Sequence, residues 1–369
     1  LALAITPFVR PQIFDCFFIK NTSTGLRFSE FGGVTADGSP YFTPTLDTLL
    51  FILAGADVQE RIQLKNYFSC HPLFMSHKVN GGDRSICASE ELVADIILET
   101  PYNPEYSSDF PAKRLVTSRE WSDLILDEHT MAQIDNIRKW LTYGDRLLDE
   151  WGMRGRIRNG YRALFYGPSG TGKTFTASLL GKYTGRDVYC VDLSMVVSKY
   201  IGETEKNLSK VFDMAEGKGW ILFFDEADAL FGKRTNLKDS HDRYANQEVA
   251  FLLQRVEDYN GLVVLSTNLK SNLDEAFARR FQSVIRFSMP EKETRLELWK
   301  EYFPANVTFD KDVDLDGIAS DYELSGGAIL NVVQYCSLQA LGRGDSIIRN
   351  DDLIDGIRAE FRKECKIVN

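Results

Sequence analysis

The chain has 369 residues, of which 44% are hydrophobic and 26% charged, as in a folded globular protein of two or three domains. Its net charge of −10 and pI of about 5.1 argue against nucleic acid or an anionic membrane as a partner. The longest apolar stretch, residues 49–56, is far shorter than the ~20 residues of a membrane-spanning helix. No basic region precedes a long apolar run at the start, so we expect a cytoplasmic protein without a signal peptide. Because the first residue is Leu1 rather than Met, we also expect some native N-terminal residues to be missing.

Residues 1–113 hold most of the eleven prolines and only short apolar segments. The segments with a recognisable pattern are helices at 45–56, capped by Thr45 or Asp47, and at 88–98, and β-capable pieces at 13–19 and 74–79. We therefore expect a small mixed α/β domain, joined to the rest by a linker at 101–111. With thirteen acidic and eight basic side chains, a balance of −5, this region is not expected to read DNA.

From about residue 114 the pattern becomes an alternation of strands and helices. The strand-like apolar runs are 163–166, 188–193, 221–224, 262–266 and 284–287, and one helical run between them is 241–259. Such an alternation predicts a five-stranded parallel sheet with helices on both faces. From about residue 301 only helical patterns remain, near 312–320, 327–341 and 351–366. The predicted domains are therefore 1–113, 114–300 and a helical 301–369.

A glycine-rich phosphate-binding pattern follows the first of these strands and opens a helix. Its residues are Gly167, Pro168, Ser169, Gly170, Thr171, Gly172, Lys173 and Thr174. The glycines let backbone N–H groups turn toward phosphate oxygens, and the helix start adds the positive end of its dipole. Lys173 is expected to reach the β- and γ-phosphates, and the Thr174 hydroxyl to bind magnesium. The sequence therefore predicts a site for ATP with Mg²⁺.

Polar residues at the ends of two further strands complete the predicted site. Asp225 and Glu226 follow a buried strand, so Asp225 is expected to hold magnesium and Glu226 to act as the general base. Asn268 ends another strand and is expected to orient the attacking water. A site that only binds nucleotide would not need the second carboxylate, so the pattern favours hydrolysis.

In kind and order these motifs resemble the AAA ATPases of the AAA+ superfamily, over roughly residues 115–366. The resemblance implies a P-loop NTPase core with a C-terminal helical lid, and a homo-oligomeric ring, expected to be hexameric. It also implies that the paired Arg279 and Arg280 act as fingers on the ATP of a neighbouring subunit. An arginine beside the γ-phosphate stabilises charge in the transition state.

The resemblance further implies loops that grip a protein substrate in the central channel of the ring. Lys199, Tyr200 and Ile201 match the first pore loop, with Tyr200 as the gripping aromatic residue. Residues 233–243 resemble a second pore loop. In the lid, many family members carry Ser-Gly-Ala-Asp where this chain has Ser-Gly-Gly-Ala-Ile; we expect Gly327 and Ala328 to approach the adenine.

The runs SKYIGETEKNL, FFDEADALFGKR, HDRYANQEVAFLLQR and NLDEAFARRF resemble bacterial AAA ATPases encoded with contractile, phage-tail-like injection systems. That resemblance implies a winged-helix-like domain over residues 1–113 and a role in particle assembly, with injection-system components as partners. Two alternatives stay open: a DNA-directed AAA+ loader or regulator, and a nucleotide-dependent scaffold. An AAA protease is disfavoured because the chain contains no zinc-protease motif.

Overall fold

The structure, a computed structural model, divides into two compact units, Leu1–Pro104 and Glu105–Asn369. It describes residues 1–35, 41–69, 71, 79–80, 85–99, 102–107, 110–193, 203–229, 240–268 and 275–363. Within these ranges, no helix is both long enough and apolar enough to cross a membrane.

The first unit combines short helices with one two-stranded antiparallel ladder. Its elements are α1 (Ala2–Val9), 3₁₀ helices at Pro11–Phe18 and Ser29–Phe31, α2 (Leu46–Ala54), α3 (Val58–Ser69), β1 (Val79–Asn80), β2 (Cys87–Ala88), α4 (Glu90–Val93) and a π-helix at Ala94–Leu98. The helix α2 begins as predicted, because Thr45 Oγ1 accepts a hydrogen bond from the Thr48 N–H. A winged-helix-like character for this region stays a prediction.

The strand expected at residues 13–19 is wrong, because Pro11–Phe18 form a 3₁₀ helix. Phe14 and Phe17 are three residues apart and therefore lie on one side of such a helix. Both contact Phe42, with ring centroids 5.7 and 5.3 Å away. This aromatic packing outweighs the β-propensity of the segment. Of the other expected piece, 74–79, all but Val79 lies outside the described residues.

The second unit alternates strands and helices and ends in a helical portion. Its elements are β3 (Lys113–Leu115), a 3₁₀ helix at Trp121–Asp123, α5 (Glu128–Asp149), β4 (Tyr161–Tyr166), α6 (Lys173–Thr184), β5 (Val188–Asp192), α7 (Glu203–Ala215), β6 (Ile221–Asp225), a 3₁₀ helix at Ala227–Ala229, α8 (Ser240–Asp258), β7 (Leu262–Thr267), α9 (Glu275–Ala278), β8 (Ser283–Arg286), α10 (Lys292–Tyr302), β9 (Thr308–Phe309), α11 (Leu315–Asp321), α12 (Gly326–Arg343), β10 (Ile347–Ile348) and α13 (Asn350–Lys363).

Six strands form the central sheet, in the order β3-β5-β6-β7-β4-β8. The five predicted strands are confirmed, and all of them are parallel to one another. The sixth, β3, was not predicted and pairs antiparallel with β5 at the edge of the sheet. It has three residues, two of them charged, so no alternation marks it in the sequence. The predicted domain boundary at 113–114 falls inside this strand.

Successive side chains of the strands pack into two cores on opposite faces of the sheet. On β4, Ala163 and Phe165 pack with α5 and α6, whereas Leu164 packs with α7 and α8. On β6, Phe223 packs in the same core as Ala163 and Phe165, and Phe224 packs in the same core as Leu164. Because both faces are covered, the strands are apolar throughout, which is what made them recognisable in the sequence.

The C-terminal portion is helical, as predicted, and has its own hydrophobic core. This core gathers Leu298, Trp299, Ile329, Val332 and Leu353 from α10, α12 and α13. The predicted domain start at 301 falls inside α10, whose apolar face already belongs to this core. The expectation that strands disappear after about residue 301 is wrong in one detail, because β9 and β10 form a two-residue parallel pair.

Candidate active site

A cavity of about 1070 Å³ lies at the carboxyl ends of the parallel strands of the second unit. Its walls come from the loop after β4, the ends of β6 and β7, the segment before α5 and the first turn of α12. Ligands of open parallel sheets bind at this edge. The cavity is large enough to accept a nucleotide.

The loop between β4 and α6 is shaped by glycines. Gly167 has a φ of +143°, and a Cβ there would lie 1.9 Å from the carbonyl oxygen of Phe287. Helix α6 then begins after Gly172, which has no side chain to cap the first N–H groups. Loop and helix start therefore offer backbone donors and the positive end of a dipole to an anionic ligand.

Lys173 places a buried ammonium group inside this loop. It is 7% exposed, and its Nζ donates to the carbonyl oxygens of Gly167 (2.6 Å) and Pro168 (2.8 Å). It also donates to Oδ1 of Asn268 at 3.0 Å, which joins the end of β7 to the loop. Burial lowers the pKa of Lys173, although two nearby carboxylates oppose this shift. Lys173 is thus already positioned where a phosphate oxygen can replace these acceptors.

Thr174 and Asp225 supply oxygen atoms on the same side of the cavity. The Thr174 hydroxyl donates to Asp225 Oδ2 at 3.4 Å, so α6 and β6 meet at this point. Hydroxyl and carboxylate oxygens are the hard ligands that Mg²⁺ prefers. The donor set therefore fits a magnesium ion.

Glu226, the residue after Asp225, has a φ of +51°, a conformation that residues other than glycine seldom adopt. Its N–H donates to Asp225 Oδ1 at 3.0 Å. In a continued strand the two side chains would point to opposite faces of the sheet. Here both line the cavity, and the turn that achieves this costs about 1–2 kcal/mol of backbone strain. Strain of this kind is often found at functional sites.

Asp228 is a member of the site that sequence reasoning missed. Its Oδ2 accepts a hydrogen bond from the Asn268 N–H at 3.0 Å, and its Oδ1 accepts one from the Thr267 hydroxyl. It therefore fixes the end of β7, from which Asn268 reaches Lys173. The only signal in the sequence was an acid three residues after Asp225, and that spacing says nothing about a contact with another strand.

Arg279 and Arg280 follow α9, and neither belongs to the described residues that line the cavity of their own chain. Instead, Arg280 Nη1 donates to Glu257 Oε1 at 2.7 Å. The other carboxylate oxygen, Oε2, accepts from Arg158 Nη1, also at 2.7 Å. Neither Glu257 nor Arg158 was singled out from the sequence.

Gly327 and Ala328, predicted to approach the adenine, begin α12. The Gly327 N–H donates to the carbonyl oxygen of Gly170 at 2.9 Å, and Gly327 lines the cavity. Ala328 lies in the helical core, and its N–H donates to Oγ of Ser325, the N-cap of the helix, at 3.2 Å. The helical portion thus contacts the phosphate loop directly, while the binding roles of the two residues stay predictions.

The segment before α5 forms a wall that the sequence did not reveal. Leu124, Ile125 and Leu126 line the cavity, as does Arg119, whose side chain carries a guanidinium group. This guanidinium lies 6.0 Å from the ring of Phe175 on α6 and 5.8 Å from that of Tyr302 on α10. It therefore connects the sheet layer to the helical portion beside the cavity.

Lys199, Tyr200 and Ile201, which are predicted to face the channel of a ring, lie outside the described residues. Of the second predicted loop, 233–243, residues 233–239 also lie outside them, and 240–243 belong to the start of α8. Both loops stay predictions.

Comparison with known proteins bears on this site, because the family model described as "ATPase family associated with various cellular activities (AAA)" matches residues 163–289. Cell division protein C of Sulfolobus acidocaldarius is 34% identical over 188 residues, which are 48% of this chain and 50% of that protein. The proteasome-activating nucleotidase of Aeropyrum pernix is 33% identical over 202 residues, which are 53% of this chain and 49% of that protein. The 26S proteasome regulatory subunit 6B homolog of Dictyostelium discoideum is 29% identical over 214 residues, which are 56% of this chain and 53% of that protein. The chain thus spans about half the length of these relatives.

Proposed function

We propose that this protein binds ATP with magnesium and hydrolyses it, because residues 163–289 match the family model of the AAA ATPases. The observation that carries the proposal is the convergence of three neighbouring strand ends on one buried cation. Lys173 follows β4, Asp225 ends β6 and Asn268 follows β7, and Lys173 Nζ is within 3.0 Å of Asn268 Oδ1. A structural turn would not need to bury an ammonium group among acceptors that a phosphate can replace.

In this proposal each residue has a distinct task. Lys173 binds the β- and γ-phosphates. Thr174 and Asp225 would hold a magnesium ion, which would offset the charge that develops on the phosphates. Glu226 takes a proton from the attacking water, whose position Asn268 fixes. The left-handed backbone of Glu226 supports this assignment, because it directs a second carboxylate into the cavity.

We further propose that the protein works as a homo-oligomeric ring, hexameric as in the family it resembles, with Arg279 and Arg280 acting on the ATP of the neighbouring subunit. In support, both arginines lie on exposed positions after α9, and the described residues lining the cavity of their own chain do not include them. Because Arg279 and Arg280 are exposed, they are positioned to act on the site of a second copy.

The substrate we propose is a protein, gripped by Tyr200 and its neighbours Lys199 and Ile201 in the central channel. Two of the relatives described above are named as a proteasome-activating nucleotidase and a proteasome regulatory subunit, and these names agree with a protein as the substrate. The finer proposal, assistance in assembling a contractile injection particle, rests on the sequence runs noted above and on the separate unit Leu1–Pro104 as a partner domain.

The test is the ATPase rate per subunit as a function of protein concentration, measured together with mass in solution. Wild type is compared with Arg280→Ala and with Asp258→Ala, a control at an exposed position at the end of α8. A rate that rises with assembly, collapses in Arg280→Ala and is unchanged in the control would support a shared active site. A rate independent of concentration and of Arg280 would refute the ring, although not ATP hydrolysis itself.

A further inference from the structure

Glu257, at the C-terminal end of α8, lies between two arginines that belong to different segments. Its Oε1 accepts from Arg280 after α9, and its Oε2 accepts from Arg158 in the turn before β4, each at 2.7 Å. The carboxylate side chain is 21% exposed, whereas Arg158 and Arg280 are 57% and 47% exposed. One half-buried acid thus anchors two solvent-facing cations.

The backbone around Glu257 is itself held in place. The buried guanidinium of Arg162 donates from Nη1 to the carbonyl oxygen of Glu257 at 3.1 Å, and from Nε to Gln282 Oε1 at 3.1 Å. The Gln282 N–H in turn donates to the carbonyl oxygen of Arg162 at 3.0 Å. The end of α8, the start of β4 and the segment after Arg280 are therefore fixed to one another, with Glu257 at their junction.

The charges of this cluster are unequal, because the carboxylate of Glu257 binds two guanidinium groups and a third, that of Arg162, binds its backbone carbonyl oxygen. Partial burial alone would raise the pKa of Glu257, but the hydrogen bond and charge of Arg158 and the charge of Arg280 hold it below its ordinary value. Glu257 is therefore ionised at neutral pH. Its negative charge therefore attracts both Arg158 and Arg280.

An arginine that acts across a subunit boundary needs a defined position, yet its long side chain has many rotamers. Within the described part of the chain, the side chain of Arg280 contacts Glu257 through Nη1, which leaves its Nε and Nη2 edges for a phosphate oxygen. We propose that Glu257 is a positioning residue, which holds Arg280 in the orientation needed to reach the ATP of the neighbouring subunit. This inference rests on the shared active site of the proposed function.

The first measurement compares kcat and KM for ATP between wild type and Glu257→Gln. Asp258→Asn is the matched control, because it removes one exposed negative charge from the adjacent residue. A misplacement of about 1 Å can cost on the order of a hundredfold in rate. We expect Glu257→Gln to lower kcat by roughly ten- to a hundredfold at unchanged KM, melting temperature and assembled mass. Asp258→Asn should match wild type. A kcat of Glu257→Gln within twofold of wild type would overturn the inference.

A mixing experiment separates positioning in the neighbour from damage within the same subunit. Glu226→Gln subunits lack their own base but present an intact Glu257 and Arg280. Mixed in equal amounts with Glu257→Gln subunits, they should restore activity to about a quarter of wild type, the share of sites with both parts intact in a random ring. A mixture no more active than its separate parts would show that Glu257 acts in its own subunit, against the proposal.

The same mixture made with Arg280→Ala in place of Glu257→Gln distinguishes a failure of the positioning role from a failure of the shared active site. If Arg280→Ala is complemented and Glu257→Gln is not, the positioning role fails while the shared site of the proposed function stands. If neither is complemented, the shared site fails and the positioning role fails with it.

Discussion

Replacement of Asp228 tests whether the strand-end network, rather than the phosphate loop alone, sets the rate of hydrolysis. Asp228 accepts hydrogen bonds from Asn268 N and Thr267 Oγ1, and Asn268 in turn accepts one from Lys173. Asp228→Ala removes both acceptors. Asp228→Asn keeps the shape, because its amide oxygen can accept from the backbone N–H while its NH₂ donates to the Thr267 hydroxyl.

The size of the effect follows from the two hydrogen bonds. A hydrogen bond to a charged acceptor contributes about 1.5 kcal/mol or more to stability. Asp228→Ala therefore loses about 3 kcal/mol of the free energy that holds the end of β7 in place. Each ~1.4 kcal/mol that is expressed in the transition state lowers kcat about tenfold. We therefore expect Asp228→Ala to lower kcat by about ten- to a hundredfold, and Asp228→Asn to lower it less than tenfold.

The assay is steady-state ATP hydrolysis at saturating magnesium, with binding of a fluorescent ATP analogue measured separately. Binding should change little, since Lys173 keeps its two backbone acceptors in the loop. Melting temperatures identify any variant that is merely unfolded. An Asp228→Ala protein that is folded and has a kcat within twofold of wild type would refute the reasoning. Equal losses in Asp228→Ala and Asp228→Asn would show that charge, and not hydrogen-bond geometry, is what matters.

Four further outcomes are expected. Lys173→Ala should lose ATP affinity by at least tenfold in a titration, because the buried cation is removed; unchanged affinity would exclude the loop as the phosphate site. Glu226→Gln should bind ATP normally and hydrolyse it at least about a hundredfold more slowly, and a wild-type rate would place the general base elsewhere. Gly167→Ala should abolish binding or folding, since a Cβ would overlap a carbonyl oxygen, whereas Gly342→Ala, in open space on α12, should be neutral or slightly stabilising in thermal melts. Tyr200→Ala should keep basal hydrolysis and lose its stimulation by a protein substrate, and equal loss of both would indicate a structural role.

The sequence predicts the second unit well because its signals are local. Strands buried on both faces, such as Val188–Asp192 and Leu262–Thr267, are continuous apolar runs, and each is followed by a helix pattern or a polar strand end. The phosphate loop is recognisable for the same reason, since its glycines and Lys173 are consecutive. Helix α2 was found through its Thr45 cap, which is also a local feature.

What the sequence does not predict depends on contacts between distant segments. Asp228 and Glu257 each meet partners on other elements, and no spacing along the chain encodes those meetings. The Pro11–Phe18 helix was misjudged for a related reason. Its residues favour a strand when taken singly, and only packing of Phe14 and Phe17 against Phe42 decides the conformation.

The edge strand β3 has a practical consequence for anyone who expresses this protein in pieces. A fragment cut to the family-matching stretch, 163–289, would leave the backbone groups of Val188–Asp192 unpaired on the outer side of the sheet. It would also uncover the apolar face against which α5 packs and remove α10 and α12, which line the cavity. An open edge next to bare apolar surface invites chains to add to one another. Such a fragment is expected to aggregate, whereas one that begins before residue 110 and ends after 363 retains β3, α5 and α10 to α13.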